Sequence, residues 1–177
     1  MMHPVKKLLL AFAVFISSAA AAQPNATRIR VQAMEMANSL IKNDFNGFVK
    51  FMHPNIIEFA GGKERMKLKM DSAQVKMQQF GVQFKKYLIG TPGGIVTYKN
   101  QLQSVLPVST VMKTPMGDLS VETAMIVISG DGGKNWWFID TNVYRADKLK
   151  KILPDLSPQL VLPAPKMPKI IPPAEAN

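Results

Sequence analysis

The chain has no cysteine. Disulfides and thiol chemistry are therefore excluded, as is any zinc site built on thiolates. Histidine is almost as scarce. His3 sits at the extreme N-terminus, which leaves His53 alone in the rest of the chain. A single imidazole without thiolates makes no ligand cluster, so no metal is expected. The sequence also lacks a G-x-S-x-G elbow, an H-E-x-x-H pair and a phosphate-loop spacing. "GTPGG" (Gly90 to Gly94) has glycines but follows no parallel strand–helix unit. "DGGKN" (Asp131 to Asn135) offers one carboxylate where a calcium loop needs several. No cofactor and no nucleic-acid partner is expected.

Acid is scarce relative to base, with 12 Asp and Glu against 22 Lys and Arg, for a net charge of +10. Such a balance keeps a domain soluble and also favours anionic partners such as envelope lipids or wall polymers. Only one long apolar run occurs, "LLLAFAVFI" (Leu8 to Ile16), preceded by Lys6 and Lys7 and followed by "SSAAAA" (Ser17 to Ala22). It is shorter than the roughly 20 residues a membrane span requires. Its flanks predict a secretory signal over residues 1–22, with cleavage after Ala22 and export to the periplasm or medium. Lys6 and Lys7 leave with that leader and no acid does, so +10 becomes +8.

What remains is the size of one domain, placed at residues 23–153. Beyond it, Leu153 to Asn177 carries seven of the thirteen prolines. Proline removes amide donors and fixes φ, so residues 154–177 are expected to form an extended, largely disordered tail.

Within the domain, Ile29, Ala33, Met36, Ala37, Leu40 and Ile41 recur at helical spacing and predict a first helix, capped by Asn25 or Thr27. Phe45, Phe48, Val49 and Met52 predict a second, with Asp44 as N-cap and Pro54 as its end. "NIIEFAGG" (Asn55 to Gly62) is β-branched and aromatic and predicts a strand. A third helix over Lys63 to Gly81 has a core stripe of Met66, Met70, Ala73, Met77 and Phe80, with Gly81 as its stop.

The period then changes to two. "VQFKKYLIG" predicts a strand, and "TPGG" (Thr91 to Gly94) a type II turn. Ile95 to Lys113 predicts a long strand, or two broken near Asn100, with a bulge or edge at Pro107. "TPMG" turns into a strand over Asp118 to Gly130, and "DGGK" turns into "NWWFIDT". "YRADKLKKIL" predicts a short terminal helix. Helices followed by a meander predict an α+β fold, with helices on one face of a curved antiparallel sheet and a concave pocket between.

The first helix, "DFNGFVKFMHPNIIEFAGG", the third helix and the closing "GDGGKNWWFID" together resemble the nuclear transport factor 2-like (NTF2-like) superfamily over roughly Ala26 to Asn142. That resemblance implies a cone, with three helices packed on the concave face of the sheet, and a homodimer through the outer face of that sheet. Ketosteroid-isomerase-like members set an acid and a tyrosine against substrate inside the cone, but the resemblance assigns no catalytic residue here.

An acid–base site needs a carboxylate or imidazole whose pKa burial has moved toward working pH. The candidates are Asp140, Glu58 and His53, with Glu122 expected to point outward. His53 precedes a proline and fits a capping role. Glu58 is expected to face solvent if Ile57 and Phe59 face the helices. Trp136, Phe138 and Asp140 share one face of the last strand, and Trp137 and Ile139 share the other. If the first set faces inward it lines a ligand pocket, with Tyr98 as a further candidate contact. No acid–base pair emerges, so the expected role is non-catalytic binding of a small apolar ligand or a protein partner. The alternatives are a cofactor-free isomerase, dehydratase or hydrolase using a pocket carboxylate, and a basic scaffold on anionic envelope surfaces.

Overall fold

The computed structural model describes residues 17–144, 146–164 and 166–171. The charged and apolar parts of the expected leader, residues 1–16, lie outside the described residues, as does the end of the tail, residues 172–177.

Helix α1 (Ser17–Ile41) buries Ile29, Ala33, Met36 and Ala37 along one stripe. Ile41, expected on that stripe, is exposed. Asn25 and Thr27 lie inside the helix rather than at its start. In α2 (Phe45–Val49), Asp44 is the N-cap, its carboxylate accepting from Gly47 N at 2.9 Å.

The predicted strand over Asn55 to Gly62 is instead helix α3 (Pro54–Phe59). Pro54 opens this helix rather than closing the one before, because a first-turn amide has no partner to lose. His53 caps it through Nδ1, which accepts from Asn55 N at 3.2 Å. The spacing of Ile56 and Ala60, both buried, serves a helix as well as a strand. At the far end Gly61 and Gly62 donate to the carbonyls of Glu58 and Ile57. With Gly61 at φ 91°, this closes a Schellman motif. The third predicted helix is α4 (Lys63–Gln79), and it ends the same way, with Gly81 at φ 66°.

Two long strands form the centre of an open, curved antiparallel sheet. β3 (Gln101–Thr114) and β4 (Gly117–Ser129) pair along their whole length. β1 (Gln83–Ile89) and β2 (Val96–Tyr98) share the outer edge of β3. β5 (Trp137–Asp140) and β6 (Lys169–Ile171) share the outer edge of β4. Lys99 and Asn100, both at positive φ, make the two-residue turn that breaks the predicted long strand in two. No type II turn forms at Thr91 to Gly94, since Gly93 is not among the glycines at positive φ. That segment instead runs along β3, with Gly90 N donating to Pro107 O and Gly93 N to Val105 O. Pro107 causes no register shift against β4. Its carbonyl faces Gly90, so its missing donor falls where β1 ends.

Both faces of the sheet are covered. On one face, α1 packs over Tyr87, Leu106, Val108, Met125, Val127, Trp136 and Phe138. On the other, Ile126, Ile128 and Ile139 meet Ile56 of α3, and Leu149 and Ile152 of α5 (Ala146–Ile152). The helices are thus divided between the faces, where the sequence predicted one.

The proline-rich segment continues this second layer instead of leaving the domain. Leu156, Leu160 and Leu162 pack against it. Buried Gln103 of β3 fixes the chain, donating to Asp155 O at 2.7 Å and accepting from Ser157 N at 2.9 Å. Proline forbids helix and sheet interior but not an extended strap, and this one reaches the edge of β4 as β6.

Candidate functional site

The register of β5 decides where its acid goes. Phe138 pairs with Val127 and Asp140 with Met125, while Trp137 and Ile139 pair with Ile128 and Ile126. Strand alternation therefore sends Phe138 and Asp140 toward α1, and Trp137 and Ile139 toward α5.

On the α1 side the sheet and α1, α2, α3 and α4 enclose a cavity of about 570 Å³. Five methionines (Met36, Met52, Met66, Met70 and Met125) and four phenylalanines (Phe48, Phe59, Phe84 and Phe138) form half of its lining. The polar lining is sparse and comprises Asp140, Tyr87, Thr110, Tyr144 and Lys69. Helix α4 closes one side loosely. Of its expected core stripe only Met66 is buried, Ala73 is exposed, and Phe80 is 73 % exposed. Met66, Met70 and Ala73 of the stripe face the cavity and not packed atoms, while Met77 and Phe80 do not line it.

The electrostatics follow from this apolar wall. Burial raises the pKa of Asp140 above the ordinary carboxylate value, and the Asn142 and Val143 amides and the Thr123 hydroxyl offset only part of that. The hydrogen bond of normal geometry that reaches this carboxylate comes from Asn142 N, 2.7 Å from Oδ1. Thr123 Oγ1 is near enough to act on Asp140 yet is buried without a hydrogen-bond partner of its own. Tyr87 stands opposite Thr110 across the β1–β3 pair. Its phenol is pushed up to about 12, first by burial and then by the nearby Asp140 charge, with Thr110 acting the other way. Lys69 does not neutralise the site, because its Nζ donates to Ala60 O at 3.1 Å.

The other sequence candidates lie elsewhere. Trp136 is 1 % exposed and packs beside α1, its Nε1 donating to Gly133 O at 3.1 Å and its backbone N to Gln32 Oε1 at 2.8 Å. Tyr98 is on β2, away from the cavity lining, with Lys99 over its ring. Glu58 is exposed, as expected, but from a helix and not from a strand. His53 is buried on the opposite layer with its ring edge-on to Trp137 at 4.8 Å, and burial lowers its pKa. Glu122 is half-buried and paired with Lys166, whose hydrogen bond and then charge lower its pKa. Asp131 is used up inside its own loop, accepting from Asn135 N, Lys134 N, Asn135 Nδ2 and Ser129 Oγ.

Tyr87 and Thr110 were missed as site residues. Thr110 lies where alternation along β3 puts it but carries no mark of a site, and Tyr87 is hidden by a bulge. Strict alternation from Phe84 puts Tyr87 on the opposite face. The register shift between Phe84 and Lys86 adds one residue, so both side chains point into the cavity. Nothing in "VQFKKYLIG" marks that insertion.

A second hollow of about 430 Å³ lies between the other face of the sheet and the proline-rich strap. Its one carboxylate among the described residues, Glu122, already holds Lys166. Among the described residues no group of three or more acidic, histidine or cysteine side chains could hold a metal ion, and no helix is long and apolar enough to cross a membrane. The chain matches no protein-family model, no curated protein and no solved structure.

Proposed function

We propose that this chain is an exported, non-catalytic binding domain whose cavity on the α1 side takes a small, mainly apolar ligand. One observation carries the reading: a space of about 570 Å³, walled by methionine and phenylalanine, with a few polar groups gathered on the sheet. That size and lining are typical of small-molecule sites, and methionine walls adapt to ligands of differing shape. The NTF2-like cone is part of the same proposal, supported by helices that precede a long curved hairpin and enclose a pocket with it. Export is supported by the leader pattern and by Pro24. In a chain that starts at Gln23, Pro24 falls in the first helical turn, where it is well tolerated.

Displacement of a neutral hydrophobic dye such as N-phenyl-1-naphthylamine tests the binding reading. The dye should light up with the mature protein, and Ala73→Trp, which projects bulk into the cavity from its rim, should weaken it severalfold. No dye binding, or binding untouched by that change in a folded variant, would sink the reading. Tryptophan fluorescence is a poor reporter here, since neither Trp136 nor Trp137 lines the cavity.

The raised pKa of Asp140 favours a second reading, a cofactor-free isomerase, dehydratase or hydrolase with this carboxyl as its base. Neither Glu58 nor His53 lines the cavity. A substrate turned over by the wild type and lost on Asp140→Asn would select that reading over binding alone.

A further inference from the structure

Among the described residues Asp140 is the only carboxylate that lines the cavity, and Lys69 is the only cation. The two do not meet, because the Lys69 ammonium is committed to Ala60 O. Among the described residues no salt bridge reaches Asp140. A carboxylate held among apolar side chains without a cation is costly, and a cationic ligand would remove that cost. Two further hydroxyls line the same cavity. Tyr87 and Thr110 are each 9 % exposed and face each other across the β1–β3 pair, where the Thr110 hydroxyl bonds the Tyr87 phenol and the Asp140 charge acts on it. Their hydroxyl oxygens can accept from a donor-rich group, and an ammonium has three donors. The rings of Phe138 and Tyr144 line the same space, where aromatic faces attract cations.

From this arrangement we propose that the cavity's ligand is an amphipathic amine, with its ammonium on Asp140, Tyr87 and Thr110 and its apolar body along the methionine wall. This deepens the binding reading above and rests on it. An anionic amphiphile would set like charges together in a dry space. A neutral alcohol would satisfy the hydroxyls but leave the Asp140 charge unpaired. The charge of the whole protein, +10, works against an amine everywhere outside the cavity. A preference for amine over carboxylate therefore cannot arise from general surface attraction.

The test is a matched set of decylamine, decanol and decanoate, each used below its micellar concentration to displace N-phenyl-1-naphthylamine at pH 7. Decylamine should displace the dye at concentrations about tenfold or more below decanol, the range a charge-assisted hydrogen bond supports. Decanoate should be the weakest. In Asp140→Asn the gap between amine and alcohol should close to about twofold while decanol is unchanged. Decanol or decanoate equal to or better than decylamine on the wild type would overturn the amine assignment and leave the cavity reading intact. Failure of the dye to bind at all would overturn both. If Asp140→Asn does not fold, the wild-type ranking and Tyr87→Phe decide. Loss of the phenol should weaken decylamine more than decanol, and an equal or greater loss for decanol would count against the proposal.

Discussion

Asp140 and Asp131 are nine residues apart, and their protons respond to folding in opposite directions. Burial raises the Asp140 pKa above its ordinary 3.8. Between 3.8 and that raised value the native state holds more protons than the unfolded chain, so stability falls as pH rises through the window. Asn142 N can donate to an amide oxygen as well as to a carboxylate. Asp140→Asn should therefore unfold at the same or a higher urea concentration than the wild type at pH 7, and the two should converge below pH 3.8. A clear loss of midpoint at pH 7 would show that some group pairs with this carboxylate in the folded protein. Asp131 is held at about 2, above all by the Asn135 amide. Its contribution is fully present above 3.8 and disappears as pH falls through about 2. Asp131→Ala should cost about 1 kcal/mol at pH 7, allowing for its exposure, with the difference shrinking in acid. The sequence made Asp140 a candidate because strand alternation is readable. It could not supply Tyr87, whose direction depends on an extra residue near Lys85 that no residue type announces.

At the scale of elements, legibility followed how far local signals agreed. The glycine stop at Gly81 and the Asp44 cap each have a single physical reading, and each formed; of the two readings for Ile95 to Lys113, the break near Asn100 is the one that formed. "NIIEF" did not, because isoleucine and phenylalanine favour a strand while Pro54 and the Gly61–Gly62 pair frame a helix of one turn and a half. The frame prevailed. Helix α4 is the opposite case, correctly placed along the chain but misjudged in packing. Bounded by glycines at positive φ and with Leu68, Val75 and Phe80 exposed, it has little to hold it. Its amides should exchange with solvent through local opening, well before the global unfolding that limits β3 and β4. Hydrogen exchange followed by mass spectrometry would show this as early labelling of residues 63–79 against late labelling of 101–129. Equal protection in the two segments would mean that α4 is part of the cooperative core. Saturation with a cavity ligand should slow exchange in α4 selectively, because that helix supplies one wall.

The whole molecule is a three-layer object, and its third layer was hidden by composition. Prolines between Leu153 and Asn177 argue against helix and sheet interior but not against order, and the segment adds the short edge strand β6. An extended strap needs only apolar anchors and a few polar fasteners. Here the anchors are Leu156, Leu160 and Leu162, the fastener is buried Gln103, and the last turn of chain is tied by β6 and by Lys166 to Glu122. Ending the chain after Leu153 should therefore do more than trim an appendage. The three leucines are partly buried, so their removal exposes Ile126 and Leu153 and should cost about 3 kcal/mol at roughly 1 kcal/mol each. Gln103 would regain water and so contribute little to that loss. The edge of β4 at Asp118 to Ser120 would be left unpaired. An open strand edge beside a bared apolar face recruits a second copy. Light scattering should then show concentration-dependent association in the shortened protein but not in the full chain. A shortened protein that melts with the full chain and stays monomeric would return residues 154–171 to the status of a free tail. Because the strap covers the face opposite the cavity, dye binding on the α1 side should survive the truncation wherever the shortened protein remains folded.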